Sequence, residues 1–185
     1  FLYTGGTMYD LGTLGGSSSE PTAINNGATP SVVGFSTTSA NKSHGFVSSG
    51  GSMTDIGTLP STGQSSRALA VNDNGTVVGW AYTNSTVYHA CMFSGGTLTD
   101  LGVLGTGTAS SALGINSTGD IWGTSATNGV GSVHGFFYSG GSMTDIGTLG
   151  GSTSTPVAMN ESGEIVGESL NSGGNGRAFR WASGT

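Results

Sequence analysis

Basic residues are scarce in this sequence, and their scarcity argues against two classes of partner. Lysine and arginine together number 4, against 10 aspartates and glutamates, which gives a formal net charge of −6. The four cations are Lys42, Arg67, Arg177 and Arg180. Because so few cations cannot neutralise a run of phosphates, we expect no binding to nucleic acid or to an anionic membrane surface.

Long apolar runs are also lacking. No segment approaches the roughly 20 apolar residues that a membrane-spanning helix needs, so no membrane span is predicted. The chain begins at Phe1 without an initiator Met or a recognisable signal peptide. This predicts that Phe1 follows a processed or truncated start.

Cysteine occurs once, at Cys91. A single cysteine excludes an internal disulfide framework and a Cys-x-x-Cys metal site. In the repeat described below, Cys91 takes the position that Phe46 and Phe136 take in other units. This alignment predicts a small core residue rather than a reactive thiol.

Helical periodicity is the last feature that the sequence lacks. Gly, Ser, Thr and Val are abundant throughout, and they disfavour helices. The 36 glycines are not low-complexity sequence, because most of them recur at fixed places. The sequence therefore predicts an all-β chain.

What the sequence does contain is one segment in four related copies. The copies are Gly5–Leu14, Gly50–Leu59, Gly95–Leu104 and Gly140–Leu149. Their aspartates, Asp10, Asp55, Asp100 and Asp145, recur every 45 residues. A fixed period of this length indicates a repeat architecture. We predict a single repeat domain over residues 1–185, with units at approximately 1–45, 46–90, 91–135 and 136–185.

Each unit holds four short apolar runs bounded by turn residues, which predicts four antiparallel strands. In the fourth run, Met143 and Leu149 fall on one strand face and Ile146 on the other, so both faces of the sheet are expected to be buried. Such units favour a β-propeller, either a four-bladed ring or a four-unit segment of a larger propeller. The alternative is a linear, solenoid-like β array.

Three histidines stand at equivalent positions, each 11 residues before the aspartate of its repeat. A Gly-Gly hairpin turn between them would pair Phe46 with Asp55 and His44 with Gly57 across the two strands, which places His and Asp diagonally on one face. We predict structural pairs that fix the strand register: His44 with Asp55, His89 with Asp100, and His134 with Asp145. Because the histidines belong to different units, they are too far apart to share a metal, and neither a metal nor a cofactor is predicted.

The two ends of the chain complete this pattern with opposite charges. Arg177 takes the histidine position in the last unit, and Asp10 has no histidine before it. If the units close into a four-bladed ring, Arg177 should approach Asp10 within one blade. Segments 1–4 and 179–182 would then compete for one strand position. Closure of this kind would hide the sheet edges.

Glu161, Glu164 and Glu168 form the only acidic group outside the repeat pattern and are a weak surface-site candidate. A glycosidase needs two carboxylates about 5–10 Å apart around one sugar. No basic or histidine partner accompanies this group in the sequence, which favours a solvated or cation-attracting edge. No serine stands in a Gly-x-Ser-x-Gly motif with a matching His and Asp, so no catalytic residue is predicted.

Trp80 is the other weak surface-site candidate, since aromatic faces can stack on sugar rings. Tyr82, Trp122 and Trp181 lie in or near the equivalent second and third strands, and packing between units is the favoured interpretation for all four residues. A lectin would be expected to repeat its site in each unit. The residues that align with Trp80 are Phe35, Thr124 and Glu168, so a sugar site here would not be repeated.

The repeat also resembles a known family. The segments that carry the resemblance are His44-Gly-Phe46, His89-Ala-Cys91, His134-Gly-Phe136 and Arg177-Ala-Phe179, together with Asp10–Gly16. They resemble the HAF extracellular repeat family of bacteria, from which Cys91 in place of Phe and Arg177 in place of His depart. The resemblance implies a secreted or cell-surface location and no known enzyme activity.

The leading hypothesis is a non-catalytic, secreted or cell-surface β-propeller that serves as a binding, adhesion or structural module. The alternatives are a lectin-like carbohydrate-binding module and a polysaccharide-active enzyme that uses the edge from Glu161 to Glu168. The expected partner is an extracellular protein or glycan. Self-association through open sheet edges is a further expectation.

Overall fold

The computed structural model describes residues 1–27, 29–59, 64–128 and 131–182, and this part of the chain is all-β, as predicted. The strands are β1 (Leu2–Thr4), β2 (Thr7–Tyr9), β3 (Gly15–Ile24), β4 (Ser31–Thr38), β5 (Ser43–Ser49), β6 (Ser52–Asp55), β7 (Ser66–Val71), β8 (Val77–Tyr82), β9 (Tyr88–Ser94), β10 (Thr97–Gly102), β11 (Ser110–Ile115), β12 (Ile121–Ala126), β13 (Val133–Ser139), β14 (Ser142–Asp145), β15 (Gly150–Met159), β16 (Ile165–Asn171) and β17 (Gly176–Trp181). Over the described residues there is no helix long and apolar enough to cross a membrane.

The strands pair antiparallel in chain order and form successive sheets. β1 and β2 form the N-terminal hairpin; β3–β6, β7–β10 and β11–β14 form the first, second and third sheets; and β15–β17 form the fourth. In the part of the chain that the structure describes, one parallel pair, Val133 with Thr153, joins the third sheet to the fourth. The approximate unit boundaries counted from Phe1 fall inside β5, β9 and β13, because a period has no fixed starting point.

Gly-Gly turns set the register of the outer hairpins. Gly50 and Gly51 have φ values of 58° and 84°, which a two-residue type I′ turn requires and glycine accepts without strain. Phe46 therefore pairs with Asp55, as predicted, and the second and third sheets repeat this register. The expected pairing of His44 with Gly57 is wrong, because β6 ends at Asp55 and the chain turns at Gly57 with φ 78°.

Apolar side chains fill the spaces between consecutive sheets. Between the first and second sheets lie Val33, Ile56, Ala68 and Val77. Between the second and third lie Val78, Ala90, Leu101, Leu104, Ala112, Ile121 and Phe136. The second sheet is thus apolar on both faces, which is the burial that the strand pattern predicts.

Cys91 belongs to this core, and only 1% of its surface is exposed. Burial, reinforced by the charge of Asp100, raises the pKa of its thiol to about 12. The thiol therefore stays protonated at neutral pH and is not a nucleophile. The prediction of a small core residue is confirmed.

A row of buried asparagines ties the first strands of neighbouring sheets together. Asn25 Nδ2 donates to the main-chain oxygen of Asn72 at 3.1 Å, and Asn72 Nδ2 donates to that of Asn116 at 3.0 Å. Each Oδ1 accepts a main-chain amide in its own hairpin, from Ser31 in the first case and Thr76 in the second. One side chain thus closes a turn and links two sheets.

Buried serines link the sheets in a second row. Ser66 Oγ accepts from the Gly45 amide at 3.0 Å and donates to the Gly57 carbonyl at 2.5 Å. Ser110 makes the equivalent two bonds between the second and third sheets. The sheet interfaces therefore depend on directed hydrogen bonds as well as on apolar burial.

The expected four-bladed ring, closed by Arg177 and Asp10, is not formed. Among the described strands, the N-terminal hairpin pairs with neither β16 nor β17. Arg177 donates to the Gly176 carbonyl at 2.7 Å, while Asp10 accepts from the Gly12 amide at 2.9 Å. The hairpin instead lies beside β3, where Ser19 Oγ donates to the Gly12 carbonyl at 2.7 Å, as Ser66 donates to the Gly57 carbonyl.

Candidate binding surface

Three aromatic rings meet on the second sheet. Trp80 and Tyr82 are two residues apart in β8 and therefore lie on the same face of the strand. Tyr88 of β9 lies directly opposite Tyr82. The ring centroids are 5.6 Å apart for Trp80 and Tyr82, 5.4 Å for Trp80 and Tyr88, and 6.0 Å for Tyr82 and Tyr88. Trp80 and Tyr82 are half-buried, and Tyr88 is exposed. Such spacing is the usual one for interacting aromatic pairs.

Arg67 extends this cluster toward the first sheet. It lies opposite Trp80 in the strand register, and its guanidinium carbon sits 3.9 Å from the ring centroid of Phe35 and 5.7 Å from that of Trp80. Both distances fall within the range of a cation–π contact. Within the described ranges Arg67 forms no ion pair with a carboxylate. We call Phe35, Arg67, Trp80, Tyr82 and Tyr88 the aromatic surface.

The aromatic surface combines flat apolar ring faces with a half-buried cation that pairs with none of the described carboxylates. Ring faces bind the apolar faces of planar or sugar rings, while a guanidinium donates hydrogen bonds that fix orientation. Sequence reasoning singled out Trp80 and considered Tyr82, but it missed Arg67, Phe35 and Tyr88. Strand pairing could have found Arg67 and Tyr88, since they lie opposite Trp80 and Tyr82.

The other large aromatic contact is internal. Trp181 lies with its ring centroid 5.2 Å from that of Phe137, across the junction of the third and fourth sheets. Here the structure favours the packing interpretation.

The three His–Asp pairs all have hydrogen-bonding geometry. His44 Nδ1 lies 2.7 Å from Asp55 Oδ2, His89 Nδ1 2.9 Å from Asp100 Oδ2, and His134 Nδ1 2.8 Å from Asp145 Oδ2. In each pair, Asp Oδ1 also accepts the amide of the glycine two residues later. Each contact therefore joins the third and fourth strands of one sheet to the turn that follows.

These pairs offer no shared reactive centre. Each belongs to a different sheet. Among the residues that the structure describes, no three His, Cys, Asp or Glu side chains are grouped so as to hold a metal ion. The Nε2 atom of His44 is buried without a hydrogen-bond partner in the described part of the chain.

The acidic group is divided between two contacts. Glu164 accepts from Asn160 Nδ2 at 2.8 Å and pairs with Arg180, so the expectation that this group lacks a basic partner is wrong. Arg180 of β17 pairs with Val166 of β16, and this pairing brings the Arg180 guanidinium to the start of β16. The hydrogen bond from Arg180, then that from Asn160, lowers the pKa of Glu164 below its ordinary value.

Glu161 turns toward the third sheet instead. Its Oε2 accepts from the hydroxyl and, at 3.0 Å, from the amide of Ser117, and these bonds lower its pKa. Glu168 lies within β16, opposite Thr155 and Ala178. Glu161 and Glu164 are therefore ionised at neutral pH, and each already accepts hydrogen bonds.

Comparison with known proteins gives a fold and no family. No protein-family profile matches the chain, and no curated protein matches it in sequence. Among solved structures, the chain is similar to the crystal structure of TolB from Acinetobacter baumannii, with a TM-score of 0.57 and 16% sequence identity. The similarity covers 88% of this chain and 41% of that one, so the chain spans less than half of the TolB structure.

Proposed function

We propose that this chain is a non-catalytic, secreted or cell-surface β-propeller module that binds a ligand through the aromatic surface. Each four-stranded sheet would be one blade of an open segment of the propeller. Face-to-face antiparallel sheets at a 45-residue period support this arrangement. The likeness to TolB, a β-propeller protein, supports it further.

The observation that carries the proposal is Arg67, which forms no ion pair among the described residues and stacks beside a cluster of partly exposed aromatic rings. A guanidinium that served only stability would be expected to pair with a carboxylate, and the nearby sequence offers Glu20. Glu20 lies opposite Phe35 in the register, yet it forms no ion pair with Arg67. The guanidinium donors therefore stay available to a ligand.

The ligand class that fits this surface best is a glycan. Sugar rings present an apolar face that stacks on Trp or Tyr and hydroxyls that accept hydrogen bonds from Arg. The site belongs to the second sheet alone, because the residues equivalent to Trp80 elsewhere are Phe35, Thr124 and Glu168. We therefore propose one glycan site per chain.

The competing hypothesis of a polysaccharide-active enzyme is disfavoured by the protonation of the carboxyl groups. A glycosidase needs a general acid whose pKa is raised, so that it holds a proton at working pH. The pKa values of Glu161 and Glu164 are instead lowered by their hydrogen bonds. The resemblance to the HAF repeat family, which implies no enzyme activity, points the same way.

Glycan-array screening followed by calorimetry tests the proposal. We expect Trp80→Ala to weaken binding of the selected glycan by at least about tenfold, since stacked aromatic residues dominate such sites. Tyr88→Ala and Arg67→Gln should weaken it as well. Trp122→Ala, which removes a half-buried tryptophan of the third sheet, is the matched control and should bind normally.

Two results would contradict the proposal. One is glycan binding that survives all three substitutions in proteins whose thermal midpoints show that they are folded. The other is hydrolysis of a glycan that Glu164→Gln abolishes, which would establish the enzymatic alternative.

A further inference from the structure

The two ends of the sheet stack are complementary halves. Among the described strands, β17 pairs with β16 alone, whereas the equivalent strands β5, β9 and β13 each also pair with an outer strand. At the other end, the N-terminal hairpin carries the Gly-Gly turn and the repeat aspartate of an outer hairpin, but no described inner strand pairs with it. Within the described residues, the fourth sheet thus has no outer strand and the hairpin has no inner ones.

Apolar side chains are exposed at both ends. On the fourth sheet, Val166 is 43% exposed, whereas its equivalents Val33 and Val78 are 0% and 1% exposed beneath the following sheet. At the start of the chain, the N-terminal hairpin exposes Met8 by 60%, whereas its equivalents Met53, Leu98 and Met143 are half-buried. Within the chain, neighbouring strands and sheets therefore cover the positions that Val166 and Met8 leave exposed at the two ends. The partner that fits each exposed end is therefore another unit of the same repeat, supplied by a second copy of the chain.

The two ends also carry opposite charges at equivalent positions. Arg177 occupies the position of the three paired histidines, and the described carboxylates include none that forms an ion pair with it. Asp10 binds the Gly12 amide, as Asp55 binds that of Gly57, but it has no basic partner in the described part of the chain. One end therefore presents an unpaired cation and the other an unpaired anion, at the two positions that pair within each complete sheet.

We propose that β2 of one copy adds to β17 of a second copy as the missing outer strand of the fourth sheet. The register of the other sheets, in which Phe46 pairs with Asp55, would place Phe179 opposite Asp10 and Arg180 opposite Tyr9. Arg177 of one copy then contacts Asp10 of the other, as each histidine contacts its aspartate.

Strand addition requires β1 to separate from β2, because β1 and β17 are both third strands of the repeat and would pair with the same edge of β2. β1 spans three residues and pairs with β2 alone among the described strands, and an isolated two-stranded hairpin is marginally stable. The exchange replaces that short pairing with a four-stranded sheet. The contact joins two different surfaces, so it is heterologous and closes into a ring of copies or continues as an open chain.

Sedimentation velocity of the 185-residue chain over a range of concentrations is the first test. We expect concentration-dependent assembly that Arg177→Glu and Asp10→Arg each weaken by about fivefold, the effect of about 1 kcal/mol. The exchanged pair, Asp10→Arg with Arg177→Asp, should restore it. Lys42→Glu, the same change of charge at an exposed turn, should leave assembly unchanged. A chain that stays monomeric at every concentration would overturn the proposal, as would an exchanged pair that does not recover.

Cross-linking tests the register independently of affinity. Tyr9→Cys and Arg180→Cys are prepared as two separate proteins, since Tyr9 and the Arg180 side chain are exposed by 52% and 69%. Facing strand residues lie about 4.5–5.5 Å apart, which suits a disulfide. Mixing the two under mild oxidation should give a disulfide-linked dimer that neither protein forms alone. Equal yields with and without mixing would refute the proposed pairing.

Discussion

At the scale of single residues, the His–Asp contact brings three segments of a sheet together. The His89 imidazole and the Gly102 amide both reach Asp100, so one carboxylate holds two strands and the following turn. The Asp100 side chain remains 41% exposed, which keeps its charge solvated. The arrangement suits a structural pair, since a solvated carboxylate needs no further partner.

His89→Ala should therefore lower the free energy of unfolding modestly. We expect a loss of about 0.5–1.5 kcal/mol, the net value of one hydrogen bond, measured by urea denaturation. Asp100→Asn and the double variant complete a double-mutant cycle. Strictly additive effects in that cycle would show that the two side chains do not interact.

Asp120 offers a test of pH dependence at the same scale. Hydrogen bonds from Ser139 first, then from Thr118 and Asn116, hold its pKa below the ordinary value, although partial burial opposes them. A carboxyl that binds its proton less readily in the folded state stabilises that state above the unfolded pKa of about 4 and loses this contribution as pH falls through the folded pKa.

Asp120→Asn should accordingly flatten the fall in unfolding free energy between about pH 5 and 2. Urea denaturation at a series of pH values measures the slope, and Thr118→Val, which removes one donor to the carboxylate, should give an intermediate slope. Identical slopes for the three proteins would contradict this account.

At the scale of the strand, one glycine position sets how closely the first two strands of each sheet approach. A Cβ built at Gly79 would lie 1.9 Å from the Arg67 carbonyl oxygen, and the equivalent Gly123 and Gly167 are as crowded. The crowding coincides with a β-bulge between Ala68 and Ala70. Bulges leave one residue unpaired and bend the strand, which brings its carbonyl against the neighbour.

Gly79→Ala should destabilise the protein by about 1–3 kcal/mol or more, because backbone must move to admit a methyl group. Thermal denaturation followed by circular dichroism provides the measurement. Gly27→Ala is the control, since a Cβ there meets its nearest atoms at an ordinary 3.5 Å. Equal shifts in the two variants would mean that close approach is not the cause.

At the scale of the whole molecule, directed contacts recur between successive sheets. Asparagine side chains link the first strands of the first three sheets, and each serine links the first strand of one sheet to the third strand and the following turn of the sheet before it. Apolar clusters fill the spaces between the first three sheets. With charged residues at only 8% of the sequence, short polar side chains make most of these links. The same contacts run out at the fourth sheet, which is why its outer face is the place where assembly is proposed.

The sequence by itself determined the strands, the hairpin turns and the His–Asp contacts, because a turn of two glycines fixes the register of the strands beside it. Only the tertiary structure decided which distant groups meet. Arg67 of the second sheet contacts Phe35 of the first, and Glu164 pairs with Arg180 of the neighbouring strand. Asp10 and Arg177, by contrast, each bind a main-chain group nearby in the sequence. These outcomes depend on how one sheet packs against the next. Local periodicity carries no information about that packing.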